Sequence, residues 1–363
     1  MNTSLSHENK QLLIIFKAHF SGYLNLARIR LTCCFIMALC KVKSVNYSKL
    51  SAGFDGLASS SSNFRRIQRF MSEVDFSMEL VAKLIFSMLP NKDSVVLAID
   101  RTNWKFGNKN INILMLGVAY KGIAFPLMFK MLNKKGNSNT CERFELLCDF
   151  MNWFGKECID CLLADREFVG SLWHEFLHLY KINYYIRIRN NFRVNAANKT
   201  KGTRASDLFR NIKLGEFRHC ANKMKMHWVS CYLSAMSYLS DGKPDFLIVV
   251  SYSKPEYALE YYKQRWQIET LFKGLKSSGF NIEDTHVTDM ERLGKLIRLT
   301  MIAFTWCYRI GDHIDTHIKK IKIKKHGRRA VSVFKYGLDY LSRVFLTGHN
   351  QLDISVLKFL SCT

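Results

Sequence analysis

Two short apolar runs constrain this chain more than any other feature: SVVLAID (Ser94–Asp100) and CIDCLLAD (Cys158–Asp165). Each is too short for a stable helix and nearly free of charge, so each predicts a strand buried on both faces. Each also closes on an aspartate. Between them, NINILMLGVAYKGIAFPLMFKML predicts two further strands turning near Lys121-Gly122, followed by CERFELLCDFMNWFG, an amphipathic helix. GSLWHEFLHLYKI continues as a helix and NYYIRIR as a fifth strand. The order βββαβαβ predicts an α/β sheet, an antiparallel meander followed by crossover connections.

The flanks read differently. Residues 1 to about 90 carry helical patterning, with a short helix near Tyr47–Ala52, a glycine-containing turn and a serine-capped helix from about Ser62 to Met71. On that second helix Phe64, Ile67, Phe70 and Met71 point inward, while Arg65, Arg66 and Arg69 decorate the outside. The pair resembles a helix-turn-helix with a basic second helix. Residues 190–250 alternate polar and apolar side chains and predict a β-rich insertion. The boundaries place a helical DNA-binding domain at 1–92, a catalytic domain at 93–311 and a basic helical segment at 312–363.

A formal net charge of +24 falls across all three parts, +7, +11 and +6 in chain order. A surplus spread so evenly suits a long polyanion followed over much of the surface, and nucleic acid is the commonest. In the last part, KKIKIKKHGRR (Lys319–Arg329) adds a basic run suited to non-specific phosphate contact. The amphipathic AVSVFKYGLDYLSRVFL after it predicts a helix packed on the body or a partner subunit. No membrane partner is expected: the longest apolar run near the start, Leu31–Cys40, falls far short of the ~20 residues a span needs. The start lacks the pattern of an export signal, so the eleven cysteines are expected to be reduced thiols in the cytoplasm. Cys158 and Cys161 have the spacing of half a zinc site, but no second pair answers them. No GxxxxGK[ST] supports nucleotide hydrolysis.

The chemistry concentrates at three carboxylates. Asp100 and Asp165 end neighbouring strands, where ligands collect in α/β sheets. The third sits in EYYKQRWQIETLFKGLKSSGF (Glu260–Phe280), read as one helix. At about 100° per residue, Tyr262, Arg265, Glu269 and Lys276 fall within about 60° of one another, beside an apolar stripe. An exposed Arg–Glu pair accounts for such a pattern on its own. Carboxylates at two strand ends and on a helix edge instead predict a divalent-cation site, because like charges pressed together need a counter-charge. Two Mg²⁺ ions would suit an all-oxygen site performing in-line phosphoryl displacement.

These residues resemble the DDE transposases of bacterial insertion sequences, in particular the insertion-sequence-four type with its Y-x2-R-x3-E-x6-K signature. The resemblance covers about Ser94 to Arg309 and implies a ribonuclease-H-like core interrupted by a β-rich insertion. It implies that Asp100, Asp165 and Glu269 are the metal-binding catalytic triad, served by two Mg²⁺ ions with Mn²⁺ as a substitute. It implies that Tyr262, Arg265 and Lys276 contact the element-end DNA near the cleaved bond, with Trp228 a candidate to stack on a displaced base. The partners implied are double-stranded DNA at element ends and target, and a second copy of the chain in the DNA complex. The expected activity is cleavage at inverted-repeat ends and transfer of the 3′-OH ends to target DNA, in the nucleoid-associated cytoplasm of a bacterium. A stand-alone metal-dependent nuclease and a transposase-derived DNA-binding protein without catalysis share many of these residues.

Overall fold

The structure, a computed structural model, describes residues 7–196, 202–348 and 350–360. Five helices open it: α1 (His7–Phe20), α2 (Leu26–Val42), α3 (Tyr47–Ala52), α4 (Ser60–Glu73) and α5 (Met78–Ser87). Their starts follow the caps the sequence supplies. Asn25 accepts the Arg28 N–H, Asn46 accepts those of Ser48 and Lys49, and Ser59 accepts that of Ser62. Ser59 thus starts α4 two residues earlier than the expected Ser62. On α4, Asn63, Ile67, Phe70 and Met71 are buried, while Arg65 and Arg69 are exposed. Arg66 is half-buried and donates to Asn63 Oδ1 at 3.0 Å.

The central strands appear in the expected order: β1 (Val95–Phe106), β2 (Lys109–Tyr120), β3 (Ile123–Met131), α6 (Thr140–Phe154), β4 (Ile159–Ala164), α7 (Ser171–Leu179) and β5 (Tyr184–Ile188). Lys121 and Gly122, both at positive φ, form the tight turn between β2 and β3. Then come β6 (Arg193–Val194), β7 (Thr203–Arg204), β8 (Phe217–His219), β9 (Met224–Met226), β10 (Val229–Ser240) and β11 (Lys243–Ser251). The main sheet runs β3-β2-β1-β4-β5-β11-β10-β8. β1–β4 and β4–β5 pair in parallel, across the α6 and α7 crossovers; β2–β3 and the pairs from β5 outward to β8 are antiparallel. This mixed α/β sheet, mostly antiparallel, is consistent with the ribonuclease-H-like core expected.

Two local expectations need correction. Asp100 does not end β1, which runs on to Phe106, because Thr102 and Trp104 alternate inward against the solvent-facing Asn103 and Lys105. The β-rich insertion joins the central sheet through its last two strands: β11 pairs with β5, so β10 and β11 extend that sheet. The single helix over Glu260–Phe280 is two helices, α8 (Ala258–Lys263) and α9 (Trp266–Leu275). At the junction the Gln264, Arg265, Gln267 and Ile268 N–H groups reach carbonyls only three residues back, a 3₁₀ tightening that resets the helical phase. Lys276 therefore lies in the turn after α9, where Ser277 and Ser278 both donate to the Lys273 carbonyl.

The chain closes with α10 (Met290–His313), capped by Asp289, and α11 (Val333–Thr347), capped by Ser332. Glycines let these two helices meet backbone to backbone. A Cβ on Gly337 would stand 1.8 Å from the Cys307 carbonyl oxygen, and one on Gly311 would stand 2.0 Å from that of Val333. Between the helices, Lys319, Lys320, Lys322, Lys324, Lys325 and Arg328 are exposed, and Arg329 pairs with Asp315 at 3.0 Å. By internal contact the chain forms two compact units. One gathers the chain up to Pro90, Trp104–Ile111 and everything from Leu271 onward; the other holds Asn91–Asn103 and Asn112–Thr270. Residues 271–311, read from sequence with the catalytic domain, thus cluster with the opening and closing helices. Among the described residues, no helix is long and apolar enough to cross a membrane.

Candidate active site

β1 and β4 lie side by side in parallel, with Leu97 opposite Leu162 and Ala98 opposite Leu163. Two residues beyond each of the last paired positions come Asp100 and Asp165. The same register that buries the two apolar runs thus delivers both aspartates to one end of the sheet. Asp165 follows the final residue of β4 and caps the short 3₁₀ turn Arg166–Phe168. Both carboxylates are oriented by main chain: Asp100 Oδ1 accepts the Arg101 N–H at 2.7 Å, and Asp165 Oδ1 accepts the Glu167 N–H at 2.8 Å.

Arg265, at the break between α8 and α9, joins Asp100 to the third carboxylate. Its Nη2 donates to Glu269 Oε1 at 2.6 Å and its Nη1 to Asp100 Oδ2 at 3.3 Å. The guanidinium is buried, 8% exposed, and its Nε–H has no acceptor among the described residues. It lies over the rings of Tyr262 at 5.9 Å and Trp266 at 5.4 Å. Burial pushes the Asp100 carboxyl up to about 7. The nearby Asp165 and Glu269 carboxylates add to that rise, while the Arg101 N–H and the Arg265 guanidinium oppose it. One arginine therefore does not neutralise this cluster, and a proton or a further cation is favoured there.

The donor chemistry fits an oxygen-seeking divalent ion: three carboxylates, no thiol or imidazole, and one carboxyl that burial raises to about 7. Among the described residues, no three His, Cys, Asp or Glu side chains stand close enough to hold a metal as they lie. Arg265 occupies the space between two of the candidates.

The other expected site residues are distributed differently. Tyr262 is buried, 5% exposed, and burial raises the pKa of its phenol. Lys276 belongs to the helical unit, where its Nζ pairs with Glu283 at 2.8 Å and sits 5.3 Å over the Trp104 ring. Arg65, Arg66 and Arg69 lie in that same unit on α4. Trp228 is 76% exposed in the turn between β9 and β10.

Sequence reading missed a second set of side chains around the aspartates. Arg101 donates from Nε to both Glu167 oxygens at 3.0 and 3.2 Å, and from Nη1 to Asn112 at 3.0 Å. Asn137, Asp165, Arg166, Glu167, Arg189 and Phe192 line an open cavity of about 460 Å³ beside Asp165. The only local signal was adjacency: Arg101 follows Asp100, and Glu167 stands two residues after Asp165.

A comparison with curated proteins finds no match. The family model for the transposase DDE domain matches residues 91–306, more than half of the chain and the whole of this carboxylate site. The chain belongs to the family of transposases built on a DDE domain.

Proposed function

We propose that this transposase binds the inverted-repeat ends of its own insertion sequence, cleaves there with Asp100, Asp165 and Glu269 as its catalytic triad, and joins the freed 3′-OH ends to target DNA. The observation that supports this most is that one buried arginine joins Asp100 to Glu269 while the Asp165 carboxylate lies near enough to raise the Asp100 pKa, all inside the matched domain. The family generally uses divalent metals, and two Mg²⁺ ions, with Mn²⁺ as a substitute, suit this oxygen-only donor set. When bound, such ions would activate the attacking oxygen, water first and then the 3′-OH, and stabilise the leaving one.

The chain's own residues carry the remainder of the reading. The Asp100 carboxyl, raised to about 7 by burial, would be held ionised by such cations. Arg265, released from Asp100 and Glu269, becomes a phosphate partner for the cleaved strand, in keeping with its place in the insertion-sequence-four signature. Tyr262 supports the guanidinium from below, and Lys276 grips the end DNA. Arg65, Arg66 and Arg69 on α4 read the repeat, the basic Lys319–Arg329 segment follows flanking phosphates, and a second copy of the chain completes the complex on the bacterial nucleoid.

The test is a joining assay. The full chain is incubated with Mg²⁺, a supercoiled plasmid and a duplex ending in the repeat that flanks the gene. Covalent joining of the duplex 3′ end to the plasmid is expected. Cleavage without any joined product would make the chain a stand-alone nuclease instead.

A further inference from the structure

The two aspartates sit on separate strands whose pairing stops short of them. The last paired residues are Ala98 and Leu163, and β1 then leaves β4 to continue toward Phe106. Side chains take over the link. Arg101 and Glu167 form an ion pair with side chains 16% and 13% exposed, and its Nε–H is shared between both carboxylate oxygens. Arg101 also donates to Asn112 Oδ1 on β2 at 3.0 Å and to Asn137 Oδ1 at 3.2 Å. Glu167 Oε1 accepts the Ser138 N–H at 3.1 Å and its hydroxyl at 3.3 Å. Arg143 closes the network, donating to Ser138 Oγ at 2.9 Å and to the Glu167 carbonyl at 3.2 Å.

Such a network is costly to desolvate, and well-packed apolar side chains would serve stability as well or better. Its members do something apolar residues cannot. Arg101 and Glu167 are the same two residues whose backbone N–H groups hold the Asp100 and Asp165 carboxylates. We propose that the Arg101–Glu167 pair is a positioning brace: by locking together the two residues that orient Asp100 and Asp165, it sets the separation at which those carboxylates share a divalent cation. The brace rests on the reading of the three carboxylates as a cation site. Arg101 and Glu167 touch neither ion nor DNA in this account; they act through the aspartates, as outer partners of metal ligands commonly do.

The test titrates the full chain with Mn²⁺ in the absence of DNA, reading bound ion by the loss of the free-ion electron paramagnetic resonance signal. Glu167→Gln keeps the shape and removes the charge; with folding confirmed by circular dichroism, its Mn²⁺ half-saturation is expected to rise about tenfold. Arg101→Gln should do the same. Arg101→Lys, which keeps the charge toward Glu167 but cannot reach Asn112 and Asn137 together, should recover part of that loss. Half-saturation within about twofold of the parent in both glutamine variants would overturn the brace, because a purely structural pair could be lost without moving this value. Should Glu167→Gln not fold, Arg101→Lys against Arg101→Gln decides, and equal values would overturn it. Parent-like binding in Asp165→Ala would overturn the cation site itself, and the brace with it.

Discussion

Arg265, just before α9, lies 2.6 Å from Glu269 in the first turn of that helix and reaches back to Asp100 across 165 residues of sequence. An arginine read from sequence at the edge of an apolar stripe, and by resemblance against element-end DNA, is here the buried counter-charge of two carboxylates. Arg265→Ala removes that charge and leaves two carboxylates without it, at an expected cost of about 1–3 kcal/mol. Mn²⁺ should raise the melting temperature of Arg265→Ala more than that of the parent, because an added cation replaces what the guanidinium supplied. Thermal unfolding with and without Mn²⁺ checks this. Equal increments in both proteins would mean that Arg265 and the ion do not compete for the same carboxylates.

Asp100 makes stability depend on pH. Its folded pKa, about 7, stands above the ordinary carboxyl value of 3.8. Between those values the folded chain holds a proton that the unfolded chain releases. The stability this contributes is therefore fully present below 3.8 and lost as pH rises through about 7, by at most about 1.4 kcal/mol per pH unit. Asp100→Asn, uncharged throughout, should flatten that slope. Urea unfolding at mildly acidic and mildly alkaline pH, without divalent ions, gives the comparison. Identical slopes for parent and variant would remove Asp100 as the source.

End reading by α4 is tested in the full chain, because the opening helices share a compact unit with everything from Leu271 onward. Arg65 and Arg69 are exposed on α4, whereas Arg66 spends a donor on Asn63. Arg65→Ala and Arg69→Ala should each cost about 1–3 kcal/mol for any base read and relax preference at that base pair. Competition gel shifts with terminal-repeat and scrambled duplexes measure it. Unchanged preference in both variants would move end recognition to another surface.

Much of the fold was legible in local pattern, because buried strands must be apolar and their ends must stop. SVVLAID and CLLAD announced β1 and β4, and with them both aspartates. What escaped was non-local or depended on phase. The break at Gln264–Arg265 contains no proline or glycine, so periodicity ran straight through it and read two helices, and the turn that holds Lys276, as one. The strand beyond Asp100 is half polar because it alternates, and it reads as a loop by apolar content alone. The Arg101–Glu167 pair spans 66 residues, and only the folded sheet brings it together. The pairing of β11 with β5 is of the same kind.

The α10–α11 contact tests the helical unit independently of any chemistry. Gly337→Ala would drive a methyl group against the Cys307 carbonyl oxygen and the Gly311 nitrogen. Backbone cannot yield as a flexible side chain would, so a loss of about 1–3 kcal/mol is expected from overpacking. Chemical denaturation measures it, and stability equal to the parent would mean that the helices do not approach so closely.

Strand cleavage by alanine variants of the three carboxylates decides whether they form the catalytic triad. The full chain, Asp100→Ala, Asp165→Ala and Glu269→Ala are each given Mg²⁺ and a duplex carrying the terminal repeat. Cleavage is followed on a denaturing gel and binding on a native one. Each variant should bind the duplex much as the parent does and leave both strands uncut. Cleavage at near the parent rate by any of the three would contradict the account by removing that carboxylate from the catalytic centre.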